Sequence, residues 1–168
     1  MIARTLLALG LAALTSISGT AIAAPTVQNF GAHLTGDDEV PARETPAQGQ
    51  ATFHLNPDGT IDYRLIASNI DNVVAAHIHC SANDDGTAPA IVHLATTHPG
   101  NSDGINSSGT FSGSTPCNDG KTVLEAMRAG LAYVNVHTND GDGTPNEGPG
   151  DFPGGEIRGQ IEPRGSSS

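Results

Sequence analysis

The chain has 168 residues, with 7 basic and 18 acidic side chains and a formal net charge of −11. That is the size of one domain, and an acidic surface of this kind repels nucleic acid and anionic lipid, which excludes both as expected partners. Two cysteines, no tryptophan, and 32 glycines and prolines taken together (21 and 11) point to short elements punctuated by turns.

The first residues read as a secretory leader. Arg4 gives the positive start, Thr5 to Ile17 is a short apolar run, and Ala21-Ile22-Ala23 supplies small residues for cleavage after Ala23. Residues 1–23 are then removed. A soluble domain over 24–165 and a disordered tail at 166–168 remain, bound for the periplasm or the medium. Loss of Arg4 leaves 6 basic against 18 acidic side chains, a net of −12. In an oxidising compartment Cys80 and Cys117 are expected to pair as a disulfide; the alternative is a Cys80 thiolate serving a metal beside His79.

An opening strand is expected over Val27 to Leu34. Gln50 to Leu55 alternates, with Ala51, Phe53 and Leu55 on one face, and Asn56-Pro57-Asp58-Gly59 turns it into a return strand over Thr60 to Ala67. Further strands are expected at Val73 to Cys80, Ala90 to Ala95, Gly109 to Ser114, Leu131 to Thr138 and Glu156 to Ile161. One helix is expected from Lys121 to Ala129, capped by Asn118 or Asp119 and ended by Gly130, with Val123, Leu124 and Met127 as its apolar stripe. The fold class is therefore all-β: an antiparallel sandwich or Greek-key barrel with one short helix.

Strand parity selects the chemistry. Residues two apart on a strand share a face, about 7 Å apart at Cα, so His77 and His79 project together while Ile78 and Cys80 face the other way. The same parity groups Tyr133, Asn135 and His137 against Val134 and Val136, and Glu156, Arg158 and Gln160 against Ile157 and Ile161. If these strands are neighbours, His77, His79 and His137 meet and form a transition-metal site with an open fourth position, copper preferred and zinc second. Glu156 and His93 are candidate extra ligands, and Arg158 is expected nearby. Only neutral imidazole binds metal, so affinity is expected to weaken as pH falls through about 6.5. The opposing reading is a polar face of hydrogen-bonded histidines on a module that contacts an extracellular protein or glycan.

The other signals are weaker. His33, His54 and His98 have no chemical company in the sequence. Asn139-Asp140-Gly141-Asp142-Gly143-Thr144 offers oxygen donors for calcium, yet Pro145 departs from the EF-hand pattern, and a flexible acidic loop is the default. No nucleophile elbow, phosphate loop or dinucleotide fingerprint is present.

Phe30-Gly31-Ala32-His33-Leu34-Thr35-Gly36, Glu39-Val40-Pro41, Gly49-Gln50-Ala51-Thr52-Phe53, the Asp58-Gly59 turn, Ala75-Ala76-His77-Ile78-His79, the run from Gly130 to Thr138 and that from Pro153 to Ile161 follow one another along the chain. Taken in order, they resemble the CHRD domain, the module of chordin that also occurs as stand-alone exported bacterial proteins. The resemblance implies an extracytoplasmic β-sandwich and leaves the activity open. Cys80 to Asp85 and the long loop from Asn139 to Asp151 depart from the family pattern, and both adjoin the histidines. A looser likeness of plan, limited to His77, His79 and His137, is to copper superoxide dismutases; it implies a copper-dependent dismutase-like enzyme as an alternative, with Arg158 as anion guide.

Overall fold

The computed structural model describes residues 28–80, 86–96, 104–146 and 148–165. The expected leader, Val27, His98 and the tail at 166–168 lie outside the described residues.

The described residues form nine strands and one helix. They are β1 (Asn29–Thr35), β2 (Gln48–Leu55), β3 (Thr60–Ser68), β4 (Val73–Cys80), β5 (Ala90–Thr96), β6 (Ile105–Ser112), α1 (Val123–Arg128), β7 (Ala132–Thr138), β8 (Ile157–Gln160) and β9 (Glu162–Arg164). The strands make one antiparallel sheet in the order β5-β4-β7-β8-β1-β2-β3-β6, with β9 following β8 along the same side of β1. The sheet rolls until its two edge strands face each other, where Tyr63 Oη and Ser107 Oγ each donate to the Leu94 carbonyl at 2.7 Å. The architecture is thus all-β, a nearly closed antiparallel barrel in which the long-range pairings leave little free edge.

The alternation read from the sequence sets which face is inside. Phe30, Ala32 and Leu34 of β1, Ala51 and Phe53 of β2, Ile61 and Leu65 of β3, Ala76 and Ile78 of β4, and Val134 and Val136 of β7 all enter one core. The β2–β3 hairpin pairs Leu55 with Ile61 and Phe53 with Tyr63, as the turn at Asp58-Gly59 requires. Gly59 takes a φ of 85°, a left-handed conformation that glycine adopts without steric cost. β6 starts earlier than its apolar residues suggest, at Ile105; as an edge strand it exposes much of itself, so polar Asn106, Ser107 and Ser108 are tolerated.

The helix is shorter than expected and differently capped. Thr122 is the N-cap: its hydroxyl accepts from the Glu125 N–H, while the Glu125 carboxylate accepts from the Thr122 N–H. This reciprocal capping box overrides Asn118 and Asp119. Asp119 instead holds the turn before the helix, accepting from the Lys121 N–H and pairing with its ammonium at 2.7 Å. Gly130 does take the left-handed position after the helix, with φ 66°. Cys80 at the end of β4 is bonded to Cys117, so the strand carrying His77 and His79 is tied to the segment that leads into α1.

Candidate metal centre

β4 and β7 are adjacent, and their register places Ala75 opposite His137, His77 opposite Asn135, and His79 opposite Tyr133. On the far side of β7, Asn135 faces Arg158 of β8; on the far side of β4, His77 faces His93 of β5. Register irregularities in the β4–β5 pairing flank His77, a local kink of the kind that re-aims side chains. All these residues lie on the outer face of the sheet, opposite Ile78, Val134 and Val136. That outer face is itself covered. Segment 36–47 lays Glu39 and Thr45 on it, segment 86–89 packs beside His79, and segment 148–155 reaches over His137.

Three imidazoles converge. One ring nitrogen from each of His77, His79 and His137 lies within 4.8 Å of the other two. Points that close always share a centre no more than about 2.8 Å (4.8 Å divided by √3) from each, and metal–imidazole bonds of about 2.0–2.1 Å need less than ~1 Å of further closure. The tautomers are fixed by the backbone. His79 Nδ1 bonds the Ala88 carbonyl at 2.7 Å and His137 Nδ1 bonds the Pro153 carbonyl at 2.9 Å. A carbonyl only accepts, so in both rings Nδ1 carries the proton and Nε2 carries the lone pair. Both Nε2 atoms, together with His77 Nδ1, are buried without a hydrogen-bond partner among the described residues. Buried polar atoms are rarely left so. Three orphaned ring nitrogens, two of them given a lone pair by a backbone carbonyl on the other side of the ring, form the arrangement that orients histidines around a metal.

The electrostatics keep these rings in their ligand form. Burial pushes His77 down to about 4 from 6.5, with the neighbouring His137, His93 and His79 rings adding to the effect. Burial likewise lowers His79 and His137, against the opposing pull of their carbonyl bonds. The expected weakening of metal binding near pH 6.5 is thereby moved toward more acid pH.

The other residues singled out in the sequence take different places. His93 sets its ring edge against His77 at 4.7 Å between centroids, but stands outside the converging group and is exposed. Glu156 is fully buried and its carboxylate is occupied: it accepts from Thr45 Oγ1 at 2.5 Å, Thr138 Oγ1 at 2.7 Å and the Gly150 N–H at 2.9 Å. Arg158 lies 3.5 Å above the Tyr133 ring and donates to the Gly86 carbonyl at 2.6 Å. Tyr133 in turn stacks on His79, 4.7 Å apart and within 4° of parallel, and its hydroxyl accepts from the Ala88 N–H. Arg158, Tyr133 and His79 form one stack that grips segment 86–89, so Arg158 braces the His79 ring through Tyr133. His54 bonds Asn29 on the exposed side of β2, and His33 is exposed on β1. The acidic loop at 139–144 folds on itself, with Asn139 accepting from the Gly141 N–H and Asp140 from the Asp142 N–H.

Glu39 is the residue that sequence reasoning passed over. It is buried, it accepts from Asn135 Nδ2 at 2.9 Å, and burial raises its carboxyl to about 7 against the pull of the Val40 N–H, Arg158 and Arg43. Ninety-six residues separate it from Asn135, so no local pattern links them. Gly155 closes over this pair: at φ 131° a side chain is strained, and a methyl group there would meet the Asn135 amide and the Glu39 carboxylate.

Fold and site together define a small, disulfide-bonded, all-β protein with a half-buried histidine cluster on the outer face of its barrel. Residues 30–145 match the sequence model of the CHRD domain, and the chain belongs to that family. The matched span holds the whole histidine cluster, while β8 and β9 lie beyond it. No curated protein matches the chain at a significant level.

Proposed function

We propose that this chain is an exported CHRD-domain protein that binds one transition-metal ion, copper in preference to zinc, through His77, His79 and His137. The observation that carries this reading is the trio of buried imidazole nitrogens without hydrogen-bond partners among the described residues. A metal would use all three nitrogens at once, whereas a purely structural histidine face would leave them unsatisfied. Copper is preferred because nitrogen sites hold it most tightly among the first-row divalent ions, with zinc the natural competitor. The Cys80–Cys117 bond supports an oxidising destination, periplasm or medium, which agrees with the leader-like residues 1–23.

The test is metal retention by exported, tag-free protein after loading with copper or zinc and dialysis. About one equivalent is expected in the wild type, and less than about a tenth in a folded variant carrying His77→Ala, His79→Ala and His137→Ala. A wild type that retains no metal contradicts the proposal and favours the interaction-module reading, with protein or glycan as partner.

The pH dependence follows from the burial of the rings. In the unfolded chain an imidazole takes its proton near 6.5, whereas folded His77 does so only near 4. Between those values the unfolded state binds more protons, so the apo-protein loses stability as pH falls from 6.5 toward 4. Glu39 acts oppositely: its contribution is full below 4.5 and is lost as pH rises through about 7. Three imidazoles outweigh one carboxyl. The melting temperature of the apo-protein is therefore expected to fall between pH 6.5 and pH 5, and bound metal to persist well below pH 6.5. A melting temperature that rises over that interval would contradict neutral, buried imidazoles.

A further inference from the structure

The three imidazoles do not exhaust the orphaned atoms of the outer face. Asn135 is 4% exposed, and its amide is half satisfied: Nδ2 donates to Glu39 Oε1 at 2.9 Å, while Oδ1 is buried without a partner among the described residues. The Glu39 bond turns Nδ2 toward that carboxyl group and leaves Oδ1 on the other branch of the amide. Asn135 stands directly opposite His77 and two residues before His137 on the same face of β7. Directly opposed side chains have Cβ atoms about 5 Å apart. A metal held by the imidazoles would account for the three ring nitrogens and leave Asn135 Oδ1 beside it.

Among the described residues nothing else fills a fourth position. His93 is on the other side of His77 and outside the converging group. The Glu156 carboxylate is engaged by three donors. The Arg158 guanidinium lies on Tyr133 and Gly86.

We propose that Asn135 lines an open fourth position of the metal centre, where its Oδ1 accepts a hydrogen bond from a small protic ligand, water in the resting protein, with Glu39 anchoring the amide. This rests on the metal reading above and deepens it: the centre is open and selects for ligands that can donate. Neither Asn135 nor Glu39 is a metal ligand in this assignment. Asn135 is a positioning residue for whatever small molecule the centre takes.

The test is azide titration of the copper(II)-loaded protein, followed by the charge-transfer absorption of bound azide, with copper content measured in parallel. Azide cannot donate, so displacing water costs the bond to Oδ1. In Asn135→Ala that cost vanishes, and azide is expected to bind roughly three- to tenfold more tightly at unchanged copper content. In Asn135→Asp, which keeps the size of the side chain, a stronger acceptor retains the water and azide is expected to bind more weakly than in the wild type. A merely structural role would not move the two variants in opposite directions, so the test reads both variants together. Equal azide affinity in wild type and variants, no azide signal in the copper-loaded wild type, or loss of copper from a folded Asn135 variant would each overturn the proposal. A wild type that retains no copper is a distinct result, which sinks the metal reading itself.

Discussion

Replacing Glu156 by alanine is expected to cost about 3 to 5 kcal/mol of folding stability. The residue is fully buried on the outer face, and its carboxylate gathers Thr45 of the segment before β2, Thr138 at the end of β7 and the Gly150 N–H of the long loop. Its removal leaves donors buried without an acceptor and opens a cavity among them, two losses that add. Thr138 Oγ1 also accepts from the Phe152 N–H, so the fault spreads into the segment that supplies the Pro153 carbonyl to His137. Glu156→Gln keeps the volume but turns one acceptor into a donor among donors. It is expected to lose about 2 to 3 kcal/mol and to leave the metal content of the folded fraction unchanged. Urea denaturation of the two variants checks the ranking. A loss below about 1 kcal/mol for alanine would show that the bracket contributes little.

Replacing both cysteines by alanine is expected to cost about 4 kcal/mol. The bond between Cys80 and Cys117 closes a loop with a sequence separation of 37, and chain entropy for a loop of that length gives roughly this figure. Both residues are buried in the core, so the substitutions also remove some apolar packing. Stability of a domain this size is typically about 5 to 15 kcal/mol, so the loss is a large share of the whole. Because Cys80 follows His79 directly and ends β4, loosening it should also raise the rate of metal loss. Thermal melts of the double variant, with and without metal, measure both effects. A variant as stable as the wild type would show that the strand end is held by the sheet alone.

What the sequence disclosed, and what it hid, divides along local and distant causes. The period-two alternation in 73–80 and 132–138 is a local property, and it put the three histidines on one face before any neighbour was known. The adjacency of β4 and β7, by contrast, joins residues distant in the chain, and only the folded sheet brings His137 diagonally across from His77. The cysteine pairing was legible because two cysteines in an oxidising compartment have one intramolecular choice. The polar partners were not legible. Ala88 and Pro153 act through backbone carbonyls, which carry no residue-specific signal, yet they decide which nitrogen of each ring is free. Glu156 shared parity with Arg158, but it precedes β8 and turns toward Thr138 and Gly150 instead of the histidines. The capping box at Thr122 and Glu125 was present in the sequence, and two stronger capping residues upstream obscured it.

The arrangement has a consistent physical logic. The inner face of the barrel buries apolar side chains, and three loops cover the outer face over β4, β7 and β8, making a second, polar interior. In that interior the carboxylate of Glu156 and the guanidinium of Arg158 are occupied by neighbours, while each of the three imidazoles keeps a ring nitrogen without a hydrogen-bond partner among the described residues. Burial keeps those rings neutral, which favours a cation that accepts lone pairs over any ligand that needs imidazolium.

The most direct test of the central claim is X-ray absorption of the copper-loaded protein, compared with the copper-loaded His137→Ala variant. The account predicts about three imidazole nitrogens at about 2.0 Å in the wild type, with the outer-shell scattering of histidine rings. In the variant it predicts one imidazole fewer, or loss of the metal. A wild-type spectrum without imidazole scattering, or one unchanged by the substitution, would contradict it.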